Sequence, residues 1–416
     1  MRHGELQIFE CWCAGMNELW LLPLAWLAMV GSVLSYYRRD LLAVWREPVL
    51  RYPVMIIESD DWGAGPVEAQ AAALNRLADV LSRFQDQKGR HPVMTLALVL
   101  AVPDGRAMNQ DGQYHRLTLD DPLFAPVRQA IQRGRVTGVF ALQLHGLEHY
   151  WPAGLMASAN PSVRAWLAAE TPGLTEKLPS HLQSRWVDAS RLPSRPLKQP
   201  EVASAVAEEV HLFESVFGEK PRVAVPPTFV WTADVEQAWA REGVEFVVTP
   251  GLRSACRDAA GLPNCDTGPF RNGERGTGVT YLVRDDYFEP ERGHRAERGL
   301  EALAHKWAQR RACLFETHRS NFMGDDESAA QNLVEIDRLY SLAQTSYADL
   351  RFISTEELGC ALVEGNPAWV EKDLTARLVA WLARAGALSG FWRAARLTGL
   401  AWLMRLIAVP LSADTK

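Results

Sequence analysis

Short apolar runs alternate along this chain with stretches whose apolar positions recur at helical spacing. The runs at 54–58, 92–100, 136–144, 222–225, 244–249, 279–283, 312–316 and 350–353 predict strands. Between several of them lie helical patterns, at Val67–Phe84, Val202–Phe217, Ala233–Arg241, Arg295–Arg310 and Ala329–Ala343. Strand–helix alternation of this kind predicts a parallel sheet with helices packed outside it. Seven or eight repeats without a Gly-x-Gly-x-x-Gly turn favour a distorted (β/α)7–8 barrel over an open nucleotide-binding sheet. Ser354-Thr355-Glu356-Glu357 carries a capping box for the helix after the last run. Two connections, Pro103–Pro126 and Pro152–Pro200, are too long for simple loops; both follow strand ends and are expected to overhang the rim where the site is built.

The two ends differ in character from this repeat. From Leu19 to Tyr37 no residue is charged, and the segment closes with Tyr36-Tyr37-Arg38-Arg39, aromatic and basic residues of the interfacial kind. About 20 apolar residues cross a bilayer as a helix, so the expectation is an N-terminal transmembrane anchor. Arg38, Arg39, Arg46 and Arg51 follow the segment while only Arg2 precedes it, beside Glu5, Glu10 and Glu18. The positive-inside rule then places the globular body on the cytoplasmic side of a bacterial inner membrane. At the other end, Leu374–Leu411 holds Arg377, Arg384, Arg393, Arg396 and Arg405 among Trp381, Trp392, Trp402 and many Leu and Ala, with no acidic residue. It predicts C-terminal amphipathic helices, either lying on an anionic membrane surface or docked on the barrel. The expected domains are thus 1–45, an anchor; 46–365, a catalytic barrel; and 366–416, a basic Trp-rich tail.

A formal charge of -6 removes any global signature of nucleic-acid binding. Six Cys are scattered without Cys-x-x-Cys spacing, and Cys11-Trp12-Cys13 is too tight for ordinary ligands, so neither a disulfide framework nor a zinc–cysteine site is expected.

Candidate chemistry sits where apolar runs stop. Val54-Met55-Ile56-Ile57 leads into Glu58-Ser59-Asp60-Asp61-Trp62-Gly63. Val139–Leu144 delivers His145-Gly146-Leu147-Glu148-His149, and Ala312–Phe315 delivers Glu316-Thr317-His318-Arg319-Ser320-Asn321. In a parallel barrel all these C-terminal strand ends meet at one rim. Two His four apart on a helical turn share one face and suit a divalent metal. Adjacent Asp carboxylates repel; a cation relieves this and divides their labour, one binding metal and the other taking a proton from water. His318 is placed to protonate a leaving group. Asp285 and Asp286, after the run ending at Arg284, are candidates for orienting it. Tyr150, Trp151 and Trp231 are candidates for walling a sugar. His91, His115, His181, His211, His294 and His305 show no ligand spacing.

These motifs resemble the polysaccharide deacetylase superfamily (NodB homology, carbohydrate esterase family four). Its Thr-Phe-Asp-Asp motif is echoed by Glu58-Ser59-Asp60-Asp61, and its His-Ser/Thr-x-x-His by His145 and His149 with Gly146 in place of the hydroxyl residue. Its Leu-x-x-His maps onto His318, and its Arg-x-Pro-Tyr is echoed by Arg222 and Pro226-Pro227. The resemblance, over roughly 50–360, implies Asp60 as base, His318 as acid, and Asp61, His145 and His149 as ligands of a divalent metal, zinc or another first-row ion. Trp62, Tyr150, Trp151, Trp231, Asp285, Asp286, Arg319 and Asn321 complete the expected substrate contacts. The expected function is removal of an acyl group, N-acetyl foremost, from a glycan or lipid-linked glycan at a membrane. The alternatives are a glycoside hydrolase using Glu148 or Glu316 with an Asp, and a membrane-bound member that has lost its chemistry.

Overall fold

The computed structural model describes residues 21–413. Cys11, Cys13, Arg2 and the first residues of the expected membrane span, Leu19 and Trp20, lie outside the described residues. The chain divides into two compact units, Leu50–Val370 and a second made of Met1–Val49 with Glu371–Lys416.

The larger unit is built on eight parallel strands: β1 (Met55–Gly63), β2 (Met94–Val99), β3 (Phe140–Leu144), β4 (Val223–Ala224), β5 (Phe246–Thr249), β6 (Thr280–Val283), β7 (Asp286–Tyr287) and β8 (Cys313–His318). Their order is β6-β5-β4-β3-β2-β1-β8-β7. Strands consecutive in sequence are neighbours except β6 and β7, and β8 returns to lie beside β1 as a barrel requires. One seam stays open, between β6 and β7, and only Arg284 and Asp285 connect those two strands. The barrel is a curled parallel half-barrel, not a closed one.

Seven of the eight predicted runs overlap these strands. The run at 350–353 does not; it makes a single bridge, Val54 with Arg351. The eighth strand is instead β7, on the far side of β8 from β1, two residues long and too short to carry an apolar pattern. The helices follow their periodicity closely. Helix Gln199–Phe217 buries Val202, Ala205, Val206, Glu209, Val210 and Phe213, one stripe at i, i+3, i+4, i+7, and ends at Gly218 in the left-handed conformation. Ser354 and Glu357 form the capping box, each side chain accepting the other's backbone N–H.

Both long connections carry structure of their own. Residues 101–118 form an antiparallel ribbon, Ala101–Pro103 with Arg116–Thr118, around helix Gly105–Asp111. The second holds helices Pro152–Met156 and Pro161–Leu167 and a ribbon of Val187–Asp188 with Arg195–Pro196.

The smaller unit is helical: residues 21–36, then Arg38–Arg46, Leu374–Ala387, Ser389–Leu397 and Leu400–Ala413. Its core joins Val30 and Leu41 to Leu382, Ala385, Phe391, Ala395 and Met404. Trp26 donates to the Thr398 carbonyl at 2.7 Å, and Trp381 to that of Leu41 at 3.0 Å. Two expectations change here. No helix among the described residues is long and apolar enough to cross a membrane. One face of the described part of the expected span, 21–36, packs on the C-terminal helices. The C-terminal helices, in turn, share a core with the N-terminal segment.

Candidate active site

β1 supplies both carboxylates through a local irregularity. Its register with β8 is continuous up to Asp60 opposite His318, but its register with β2 shifts between Ser59 and Trp62. Asp61 lies within that bulge with φ 75°, in the left-handed region that a non-glycine residue rarely enters. Along a regular strand Asp60 and Asp61 would face opposite sides. The bulge turns both into the same cavity, of about 380 Å³, that opens at the C-terminal rim.

Asp61, His145 and His149 meet in one corner. His145 Nε2 and His149 Nε2 are 3.2 Å apart and lie 3.5 and 3.3 Å from Asp61 Oδ1. The Nδ1–H of His145 donates to the Val225 carbonyl at 2.8 Å, which leaves Nε2 as the ligand nitrogen. Burial pushes the His149 ring down to about 4, so it is neutral near pH 7. Asp61 Oδ1 is buried without a hydrogen-bond partner. Two imidazole nitrogens and an orphaned carboxylate oxygen crowded together are what a divalent cation with N/O preference requires, zinc among them. The residues present fit such an ion.

Asp60 faces a different partner. Arg284 grips it with both terminal nitrogens, at 2.8 and 2.6 Å, and also reaches Glu58 at 3.0 Å and Glu316 at 3.1 Å. Burial raises the Asp60 pKa, but the charge of Arg284 outweighs it and holds the group below the ordinary carboxylate range. For Glu58 and Glu316 burial prevails, and both are raised. Glu58 is further pinned by Thr355, at 2.5 Å. Thus Arg284, at the open seam, holds one ionised carboxylate in place, while burial and the charge of Asp60 disfavour ionisation of Glu58 and Glu316 against its pull.

His318 stands opposite, its Nδ1 2.6 Å from Glu289 Oε1. Asn321 donates to the other oxygen of Glu289. Burial lowers the His318 pKa, and the Glu289 hydrogen bond with the charges of Asp61 and Asp60 more than reverses this, pushing it up to about 10. The imidazolium is therefore the resident form at neutral pH.

The long connection closes one wall, with Glu176, Ser180 and Gln183 lining the cavity. Glu176 is tied to Arg319 at 2.9 and 3.1 Å, while Arg319 NH1 also donates to Gln70 at 3.2 Å.

Of the residues expected from the sequence, Asp60, Asp61, His145, His149 and His318 come together. The expected substrate contacts do not. Trp62 is fully buried, stacked on Phe322 and donating to Ser59. Trp231 is buried on Glu236, and Tyr150 on Tyr114. Trp151 is half-buried beside Arg185. Asp285 and Asp286 pair with Lys306 and leave His318 to Glu289. Arg319 and Asn321 are fully buried props for Glu176 and Glu289. Arg222 pairs with Glu245 and Glu356 near the surface, so the guanidinium beside Asp60 comes from another strand end. Glu148 is sealed between Arg116 and Arg185. Sequence reasoning passed over Arg284, Glu289 and Glu176. Arg284 had a usable signal, its place directly after an apolar run; Glu289 and Glu176 had none.

The model of glycosyl hydrolase family 57 matches residues 187–306. A comparison with curated proteins finds no match. Among solved structures, the chain is similar to a family 4 carbohydrate esterase from Streptomyces lividans in complex with acetate: 11% identity, 73% of this chain and 92% of that one, TM-score 0.33. It is similar to the peptidoglycan deacetylase PdaC from Bacillus subtilis, at 9% identity over 76% of this chain and 94% of that one, TM-score 0.35. It is also similar to a 4-alpha-glucanotransferase from Thermococcus litoralis, at 9% identity over 74% of this chain and 40% of that one, TM-score 0.38.

Proposed function

We propose that the protein is a metal-dependent hydrolase that removes an acyl group, N-acetyl foremost, from a glycan. One observation carries this: the convergence of Asp61 Oδ1 with two histidine Nε2 atoms, between 3.2 and 3.5 Å apart, in the cavity that Asp60 and His318 also line. A divalent ion held by those three side chains supplies Lewis acidity and an acidified water. Asp60, ionised and fixed by Arg284, accepts the proton of the attacking water. His318, held as imidazolium by Glu289, gives its proton to the amide nitrogen as the C–N bond breaks. Acetate and a free amine leave, and the proton on Asp60 passes to solvent while His318 is recharged.

A glycoside hydrolase is the second reading. The family 57 match favours it, as does the approach of Asp60 and Glu316, whose oxygens lie within 4.8 Å of each other. Retaining pairs stand ~5 Å apart. However, the match at 187–306 contains none of Asp60, Asp61, His145, His149, Glu316 or His318, and a carboxylate pair leaves the His145–His149 corner without a role. The purified protein, incubated with N-acetylated oligosaccharides, is expected to release acetate, to lose that activity to a chelator and to regain it with zinc. Asp60→Asn is expected to keep its metal and lose at least a hundredfold in rate. Chelator-insensitive release of reducing ends instead of acetate would establish the second reading.

A further inference from the structure

The helix over 21–36 has a face that water does not suit. Val30 is buried and Trp26, Val33 and Tyr37 are partly covered by the helices of 374–407. The rest of its surface is apolar and bare: Leu22 is 73% exposed, Leu24 60% and Leu27 56%, with Leu21, Met29 and Leu34 also exposed. No residue of 21–36 carries a charge, and the Ser32 hydroxyl is spent on the Ala28 carbonyl. A helix on a water-facing surface normally turns charged residues outward, so this one needs a cover. The same unit adds exposed Leu397, Trp402, Leu406 and Ile407.

We propose that this helical unit binds the surface of an anionic lipid bilayer, with its apolar faces in the acyl boundary and its arginines on the headgroups. The charge distribution selects lipid over protein. Arg38, Arg39, Arg393, Arg396 and Arg405 are exposed, and none forms a salt bridge among the described residues, while 374–411 contains no acidic residue. Tyr36 and Trp402, amphipathic aromatics, are exposed alongside them. Two-fold pairing of copies through this patch would bring like charges together, because an isologous contact sets the same residues on both sides. Basic helices with Trp and Leu on the other face instead gain from anionic headgroups and from shallow burial together. The helix is placed in the interface, its covered side on the C-terminal helices and its bare side towards the acyl boundary.

Flotation of the full chain with vesicles tests this, using phosphatidylcholine alone or mixed with phosphatidylglycerol. The protein is expected to float with the mixed vesicles, to do so at least tenfold less with phosphatidylcholine or in high salt, and to be released by alkaline carbonate. Leu24→Glu with Leu27→Glu, and separately Arg393→Glu with Arg396→Glu, are each expected to cut flotation at least tenfold with unchanged helicity and metal content. Failure to float overturns the proposal, as does flotation indifferent to both double substitutions. Retention through carbonate overturns the interfacial placement in favour of a spanning helix. A dimer in light scattering that Leu24→Glu with Leu27→Glu dissociates, without flotation, assigns the face to a second copy.

Discussion

Removing the Arg284 side chain would leave Glu58, Asp60 and Glu316 buried around the space their shared guanidinium now fills. Losing one partner of a buried charge cluster costs roughly 3–5 kcal/mol. Arg284→Met is therefore expected to lower the unfolding midpoint in urea clearly, more so at pH 8 than at pH 5, where protonation relieves the three acids. Arg284→Lys keeps the charge but not the two-pronged grip on Asp60. It is expected to fold, and to lose roughly 10–100-fold in turnover; a fully active Lys variant would show that the grip does not position the base. His318 gives a second titration. Its pKa in the fold, about 10, stands above the 6.5 of a free histidine, so its stabilising contribution is complete below about 6.5 and is lost as pH rises towards 10. The stability difference between the protein and His318→Gln should accordingly shrink between pH 6.5 and 10; a constant difference across that range removes the Glu289 clamp from the account. At Gly146, the departure from the hydroxyl residue of the resembled motif has a backbone cause. Its φ is 103°, a conformation open to glycine and strained for serine.

At the scale of elements, apolar periodicity exposed most of the barrel, since each barrel strand longer than three residues brought its own run. It could not show β7, whose two residues are held by pairing with Phe315 and Glu316 and by nothing in their own composition. Nor could it show the bulge in β1. Asp60-Asp61 was recognisable as a carboxylate pair, but that both face one cavity depends on a register shift against β2 that only pairing reveals. Gly63 marks the end of this irregularity. A Cβ there would sit 2.4 Å from the Val99 carbonyl oxygen, at a φ of 111°. Gly63→Ala is expected to destabilise by about 2 kcal/mol or more, from backbone strain and a contact with no flexible side chain to yield. It should also weaken metal binding, because Asp61 moves with the strand; zinc affinity unchanged in a destabilised Gly63→Ala protein would separate the bulge from the ligand geometry. The aromatic residues misled for a related reason. Trp62, near the end of β1, and Trp231, beyond the end of β4, stand where sugar-stacking residues do, yet each turns inward to a buried acceptor, Ser59 and Glu236.

At the scale of the whole chain, the first and last segments belong to one helical unit although more than 300 residues separate them. A window along the sequence reads 19–37 as a span and 374–411 as a separate tail, because it cannot register that each covers part of the other. Arg384 is the clearest tie. Buried in helix Leu374–Ala387, it donates to the carbonyls of Val44, Glu47 and Pro48 at 3.3, 2.7 and 2.8 Å. These oxygens end helix Arg38–Arg46, where a cation also meets the negative pole of the helix dipole. In Arg384→Met the three acceptors lose these donors inside the unit, at a cost of ~1–3 kcal/mol for each left unsatisfied. The expected result is local: trypsin cleavage at Arg46 becomes several-fold faster, while metal bound by Asp61, His145 and His149, all within Leu50–Val370, is retained. Cleavage at the original rate would mean that the apolar contacts of Val30, Leu41 and Phe391 hold the segment without Arg384. Loss of the metal together with faster cleavage would mean that the two units unfold as one.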